Sequence, residues 1–151
     1  MSENLRILAQ YSTRMAAGDY DAVYDVFAPE FASHVTARVS PDAVGTDIRG
    51  QEHKFWEMAR NAFPDMKFKV NMVIEQGDLI VSNWTLTGTH GGGAFYDVQP
   101  SGERVRIDGT AILRMRDGKV VEHWGGPHCM NGIGLSTHFD AHDEPIRAAA
   151  R

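Results

Sequence analysis

The sequence predicts an α+β domain, with helices first and then a mainly antiparallel sheet curled around them. Three observations carry this. Apolar residues in the first third recur at three- and four-residue steps, and from Met66 onward the period changes to two. Turn dipeptides also sit where alternating runs must reverse, at Gln76-Gly77-Asp78 and at Asp117-Gly118.

The elements follow in order. In SENLRILAQYSTRMAAGD, residues Leu5, Leu8, Ser12 and Met15 form one helical stripe, with Ser2 placed to cap the N-terminus and Gly18 to stop the helix. A short second helix is expected in DYDAVYDVF, capped by Asp19, with Val23, Val26 and Phe27 on its apolar side. The segment from Ala28 to Gly50 has no sustained period and reads as a loop. A third helix, roughly Gly50 to Phe63, presents Phe55, Met58, Ala59 and Ala62 on one face before Pro64 ends it.

About four long strands come next: two around Gln76-Gly77-Asp78 and two around Asp117-Gly118. Between the pairs, a short strand is expected at Ala94 to Val98, then a turn at Pro100-Ser101-Gly102. There is no internal repeat. Residues 1–135 are read as a single domain, and 136–151 as a tail that is mobile or packed on a partner subunit. A sheet with helices on one face must curl to cover its apolar side, which leaves a conical hollow.

Composition bounds the function. A chain of 151 residues can bury a core and still hold a pocket, and 42% hydrophobic with 23% charged residues is ordinary for a globular domain. A net charge of -5, with fifteen scattered Lys and Arg, argues against a nucleic acid as partner. No apolar run reaches the ~20 residues that span a bilayer, so no membrane is expected. One cysteine cannot form an internal disulfide, and the first residues lack a signal peptide's apolar run, so a cytoplasmic setting is expected.

Strand alternation sorts the side chains that face the hollow. On the strand from Leu79 to His90 the inner set is Ile80, Ser82, Trp84, Leu86 and His90. On the last strand the same rule gives Val120, Glu122, Trp124, Gly126 and His128, although Gly125, Gly126 and Pro127 could shift the register. His128 and His90 would then sit at strand ends above an aromatic wall of Trp84 and Trp124. An imidazole near pH 7 can take a proton and return it. Asp108 has the pattern of an inward carboxylate, though an ion pair with Arg106 explains it equally. Asp65 reads as a brace for the turn after Pro64, and Tyr96 and Asp97 as rim residues. A metal held by His34, His90, His128 and Cys129 lacks the spacing of a zinc motif, so no metal is expected. Nothing in the sequence places a base beside Cys129 to make it a nucleophile.

These residues carry a resemblance. Phe63-Pro64-Asp65, Gly77-Asp78, Gly88-Thr89-His90, Pro100-Ser101-Gly102 and the run Gly118 to Trp124 occur in the order found in the SnoaL-like polyketide cyclase family, within the NTF2-like superfamily. The resemblance covers about Phe27 to Leu135. It implies an α+β cone, dimeric or higher, with a hydrophobic pocket and no metal or organic cofactor. It also implies acid/base chemistry next to a carbonyl, leading to aldol ring closure. The family histidine of Gly-Thr-His matches His90, and a polar residue in the loop after the second helix matches His34. The family's acid/base aspartate, four residues after the strand tryptophan, is here His128.

Two function classes remain open from the sequence. One is a cofactor-independent lyase or isomerase in which His128 is the base and His90, with a water or His34, serves the enolate oxygen; Trp84, Trp124 and Asp108 would contact the small-molecule substrate. The other is a non-catalytic module holding an apolar ligand in the same hollow. Epoxide opening, which needs an Asp-Arg-Asp set such as Asp108 with Arg106 or Arg114 on one face, ranks behind both.

Overall fold

Ser2 opens the first element as its position predicts: its hydroxyl accepts from the Leu5 amide at 3.1 Å, and α1 runs Glu3–Ala16. The computed structural model describes residues 1–34 and 47–131, with side chains as far as residue 126. Gly18, at φ +86°, turns the chain out of α1. The second helix, α2 (Ala22–Val26), is shorter than its sequence suggests: Asp21 occupies the cap position in place of Asp19, and Phe27 leaves the helix to begin a strand.

That strand, β1 (Phe27–Ser33), corrects the reading of Ala28 onward as loop. It pairs in parallel with β5 (Lys119–Asn131) at the sheet edge, where Pro29 is tolerated because an edge strand leaves one side of its backbone unpaired. Residues 35–46 of the expected loop, and the tail 136–151, lie outside the described residues. The third helix, α3 (Arg49–Ala62), is followed by β2 (Lys67–Gln76), β3 (Leu79–Thr89) and β4 (Arg104–Arg116). Among the described residues the sheet has five strands, the four long ones expected and β1 besides, in the order β1-β5-β4-β3-β2, and every pairing except β1 with β5 is antiparallel. The expected strand at Ala94 to Val98 is only a bridge between Phe95 and Val98, because Tyr96 at φ +52° breaks the extended chain.

Register decides which side chains reach the interior. Along β3, Ile80, Trp84 and Leu86 are buried, as alternation predicts. Along β4 the buried set is odd: Val105, Ile107, Gly109, Leu113 and Met115. Asp108 therefore faces the other side of the sheet, and the inward assignment is corrected. Along β5 the alternation reverses. Met115 pairs with Val120 and Arg114 with Glu122, so Val121 is an extra residue in a bulge. Beyond it, His123 is buried while Glu122 and Trp124 turn outward, which overturns their placement in the inner set. A second irregularity pairs Pro127 with Gly109 and Cys129 with Asp108, leaving His128 as the extra residue.

The core fills the space between the helices and this face, with Met15, Phe27, Phe55, Phe63, Ile80 and Met115 among its members. Full burial of side chains such as Phe63 and Ile80 contributes roughly 1.5–3 kcal/mol each. The loop after β3 locks onto the end of α3: Gly92 N donates to Ala62 O at 3.2 Å and Gly93 N to Asn61 O at 2.9 Å. A Cβ on Gly92 would lie 1.8 Å from Asn61 O, so only glycine fits there. Among the described residues no helix is long and apolar enough to cross a membrane.

Candidate functional site

The helices and the sheet do not close completely. Between α1, α3 and the inner faces of β2 to β5 lies a cavity of about 450 Å³. That is within the usual range for small-molecule sites. Its wall is apolar over most of its area: Leu5, Leu8 and Met15 from α1, Trp56 from α3, Phe68 and Val70 from β2, and Ile80, Trp84 and Leu113 from the central strands. Among the described residues those with polar side chains on the wall are few: Tyr11, Ser12, Ser82, Glu52 and His123.

Glu52 reaches the cavity because it sits on the apolar stripe of α3, three residues before Phe55 and four before Trp56. It is 4% exposed, and Trp56 Nε1 donates to its Oε1 at 3.3 Å. A carboxyl taken from water needs such bonds to offset the loss of hydration. His123 arrives by the bulge at Val121; it is 5% exposed, with its ring 6.3 Å from that of Phe27. Sequence reasoning missed both residues. For Glu52 the available signal was an acidic residue on an otherwise apolar helical stripe. For His123 no signal precedes knowledge of the bulge.

Trp84 lines the cavity as expected. Its indole lies across β4 at Gly109, where an added Cβ would fall 2.1 Å from Trp84 Cζ2. His90 is fully buried but is not among the residues lining the cavity. Its Nε2 lies 3.1 Å from the carbonyl oxygen of Gly93, which can only accept, so Nε2 carries the hydrogen. Its ring packs 5.2 Å from that of Phe63. This ties Gly-Thr-His to Phe-Pro-Asp, and Asp65 strengthens the tie by accepting from Thr89 N at 2.6 Å and Thr89 Oγ1 at 2.9 Å. Those bonds, the backbone one first, hold the Asp65 carboxyl below its ordinary pKa.

His34 and Trp124 are together, but not on the cavity wall. Their rings stack, and His34 Nε2 donates to Glu122 Oε1 at 3.0 Å. Arg114 completes the group, with Nε donating to Glu122 Oε2 at 3.2 Å and its guanidinium 5.6 Å from the Trp124 ring. The Glu122 carboxyl is held below its ordinary pKa, first by the bond from His34 and then by that from Arg114.

Asp108 accepts from Thr85 Oγ1 at 2.6 Å and from Arg106 Nε at 2.8 Å, on the face away from the cavity. Arg106 and Arg114 share that face, so they build no Asp-Arg-Asp set on the cavity floor. His128 lies on β5 two residues past Gly126, which lines the cavity; its side chain and that of Cys129 lie outside the described residues. Among the described residues no three His, Cys, Asp or Glu side chains group to hold a metal ion.

The comparisons with known proteins agree with this architecture. The family model described as SnoaL-like polyketide cyclase matches residues 5–132. AclR of Streptomyces galilaeus, a candidate hydroxylase, is 27% identical with a TM-score of 0.69, covering 93% of this chain and 98% of that one. A candidate SnoaL-like polyketide cyclase from Jannaschia sp. CCS1 is 24% identical with a TM-score of 0.68, covering 83% of this chain and 85% of that one. IdmH of Streptomyces antibioticus, a candidate polyketide cyclase, is 23% identical with a TM-score of 0.67, covering 92% of this chain and 99% of that one. The last two likenesses concern the fold alone. No curated protein matches the chain in sequence.

Proposed function

The chain belongs to the SnoaL-like polyketide cyclase family, and on that premise we propose that its cavity deprotonates a largely apolar carbonyl compound at the carbon next to the carbonyl. The observation that carries this reading is a mainly apolar chamber with an imidazole, His123, on its strand wall. An imidazole near neutral pH exchanges protons without further tuning, and a dry wall strengthens every polar interaction made inside. His128, at the position of the family aspartate, is the proposed base. His123 replaces His90 as the donor to the developing enolate oxygen, since His123 lines the chamber. Ring closure, dehydration and double-bond migration all begin with this step.

The test uses α-tetralone in D2O, with exchange at the carbon beside the carbonyl followed by mass spectrometry and binding followed by quenching of Trp56 and Trp84. Wild-type protein should bind and exchange. His128→Ala and His128→Asn should each slow exchange by at least ~100-fold with the fold intact. Near-wild-type exchange in both variants would remove His128 from the role. The presence of histidine where the family has aspartate supports a second reading, ligand binding without chemistry, for which the signature is quenching without exchange across a panel of aromatic ketones.

The same reading extends to a cytoplasmic homodimer. The apolar Met72 and Ile74, exposed on the edge strand β2, support association, and sedimentation showing monomer alone would remove it.

A further inference from the structure

The sequence departs from its family where the acid/base carboxylate should be, yet a carboxyl group lines the chamber from another element. We propose that Glu52 is a catalytic proton donor, delivering its proton to the acceptor carbonyl oxygen of an intramolecular aldol closure. The inference rests on the proposed function and deepens it, because a second proton station on another element suits ring closure better than simple isomerisation.

Three observations support it. Glu52 is the single buried carboxyl among the described residues. It lines the chamber from α3 while His123 lines it from β5, so one ligand in the chamber has a carboxyl and an imidazole on its walls. The bond from Trp56 Nε1 holds Oε1 in place, and Trp56 itself lines the wall. Only the protonated form of a carboxyl group can donate, so the proposed role assigns that form to Glu52 at this step.

The step balances as follows. His128, the proposed base, takes the proton from the donor carbon, and the C–H electron pair is held as an enolate against His123. The enolate carbon then bonds to the acceptor carbonyl carbon. The C=O π electrons move to that oxygen, which takes the proton from Glu52, leaving a carboxylate. The imidazolium returns a proton to Glu52 through solvent before the next turnover. No oxidant or metal is required.

The experiment separates the two halves. The probe is 2-(3-oxobutyl)-1-tetralone, an aromatic 1,5-diketone, incubated in D2O with wild-type, Glu52→Gln and Glu52→Asp proteins; deuterium uptake and cyclised product are read by chromatography and mass spectrometry. Glu52→Gln should keep tryptophan quenching and deuterium uptake while losing at least ~100-fold in cyclised product. Glu52→Asp, which keeps a proton on a shorter arm, should fall between. Wild-type cyclisation by Glu52→Gln overturns the proposal, as does loss of uptake and product together in a Glu52→Gln protein that still quenches. Absence of uptake by the wild type sinks the deprotonation reading instead, and this inference with it. Should Glu52→Gln fail to fold, the Glu52→Asp split between uptake and product decides alone.

Discussion

His34 lies flat on Trp124, with ring centroids 5.0 Å apart and planes 4° from parallel, and the same imidazole donates to Glu122. This stack joins the end of β1 to β5 on the face away from the cavity. The consequence is a pH dependence with a definite sign. The folded-state pKa of Glu122 is below its ordinary value of 4.5, so the stabilisation is present above that value and is lost as pH falls through the lowered folded one. Glu122→Gln removes the titrating group. Its melting temperature should therefore fall less than that of the wild type as pH drops from about 6 to about 3. Parallel curves for the two proteins would show that the bond contributes nothing to acid sensitivity.

Gly109 owes its identity to Trp84. A methyl group there would overlap the indole, so Gly109→Ala should cost about 1–3 kcal/mol, or roughly 2–12 °C in melting temperature for a chain of this length. The cost should shrink to less than ~0.5 kcal/mol in a Trp84→Ala background, where the overlap is gone. An equal penalty in both backgrounds would place the strain elsewhere.

These two contacts mark where the sequence was readable and where it was not. Period-two alternation placed Trp84 on the inner face because β3 pairs with β4 without interruption. The same rule failed on β5, since one extra residue at Val121 exchanges the faces and sends His123 inward in place of Trp124. Bulges of this kind depend on how two strands settle against each other, and a single strand's pattern does not hold that information. The edge strand β1 escaped for a related reason: Phe-Ala-Pro-Glu-Phe-Ala-Ser has neither alternation nor a hairpin turn, and its partner β5 is about ninety residues away in sequence. The helix stripes were legible because their period is local, and the order of the family motifs carried the overall architecture.

His90 tests whether a family motif marks chemistry or packing. It is fully buried, donates to the Gly93 carbonyl and packs on Phe63, apart from the chamber wall. His90→Ala should therefore lower stability by ~2–4 kcal/mol, through a cavity and an orphaned carbonyl. Exchange per folded molecule should change far less than the ~100-fold of a lost acid/base group. The two quantities are read by denaturant unfolding and by the deuterium assay at a temperature where the variant is folded. A catalytic collapse with unchanged stability would restore His90 to the reaction.

Ala111 offers a test of the chamber itself. It lines the cavity from β4 and is only half-buried, so part of its surface borders empty space. An added ring at this position enters that space instead of displacing the core, so Ala111→Phe should leave the melting temperature unchanged or raise it, in contrast to the usual penalty for overpacking. Ligand affinity should fall at least tenfold, about 1.4 kcal/mol, because the ring occupies volume the ligand needs. Titration of α-tetralone against tryptophan fluorescence reads both proteins under the same conditions. Undiminished quenching in a stable Ala111→Phe protein would mean that the ligand sits outside this cavity, and the roles given to Glu52 and His123 would go with it.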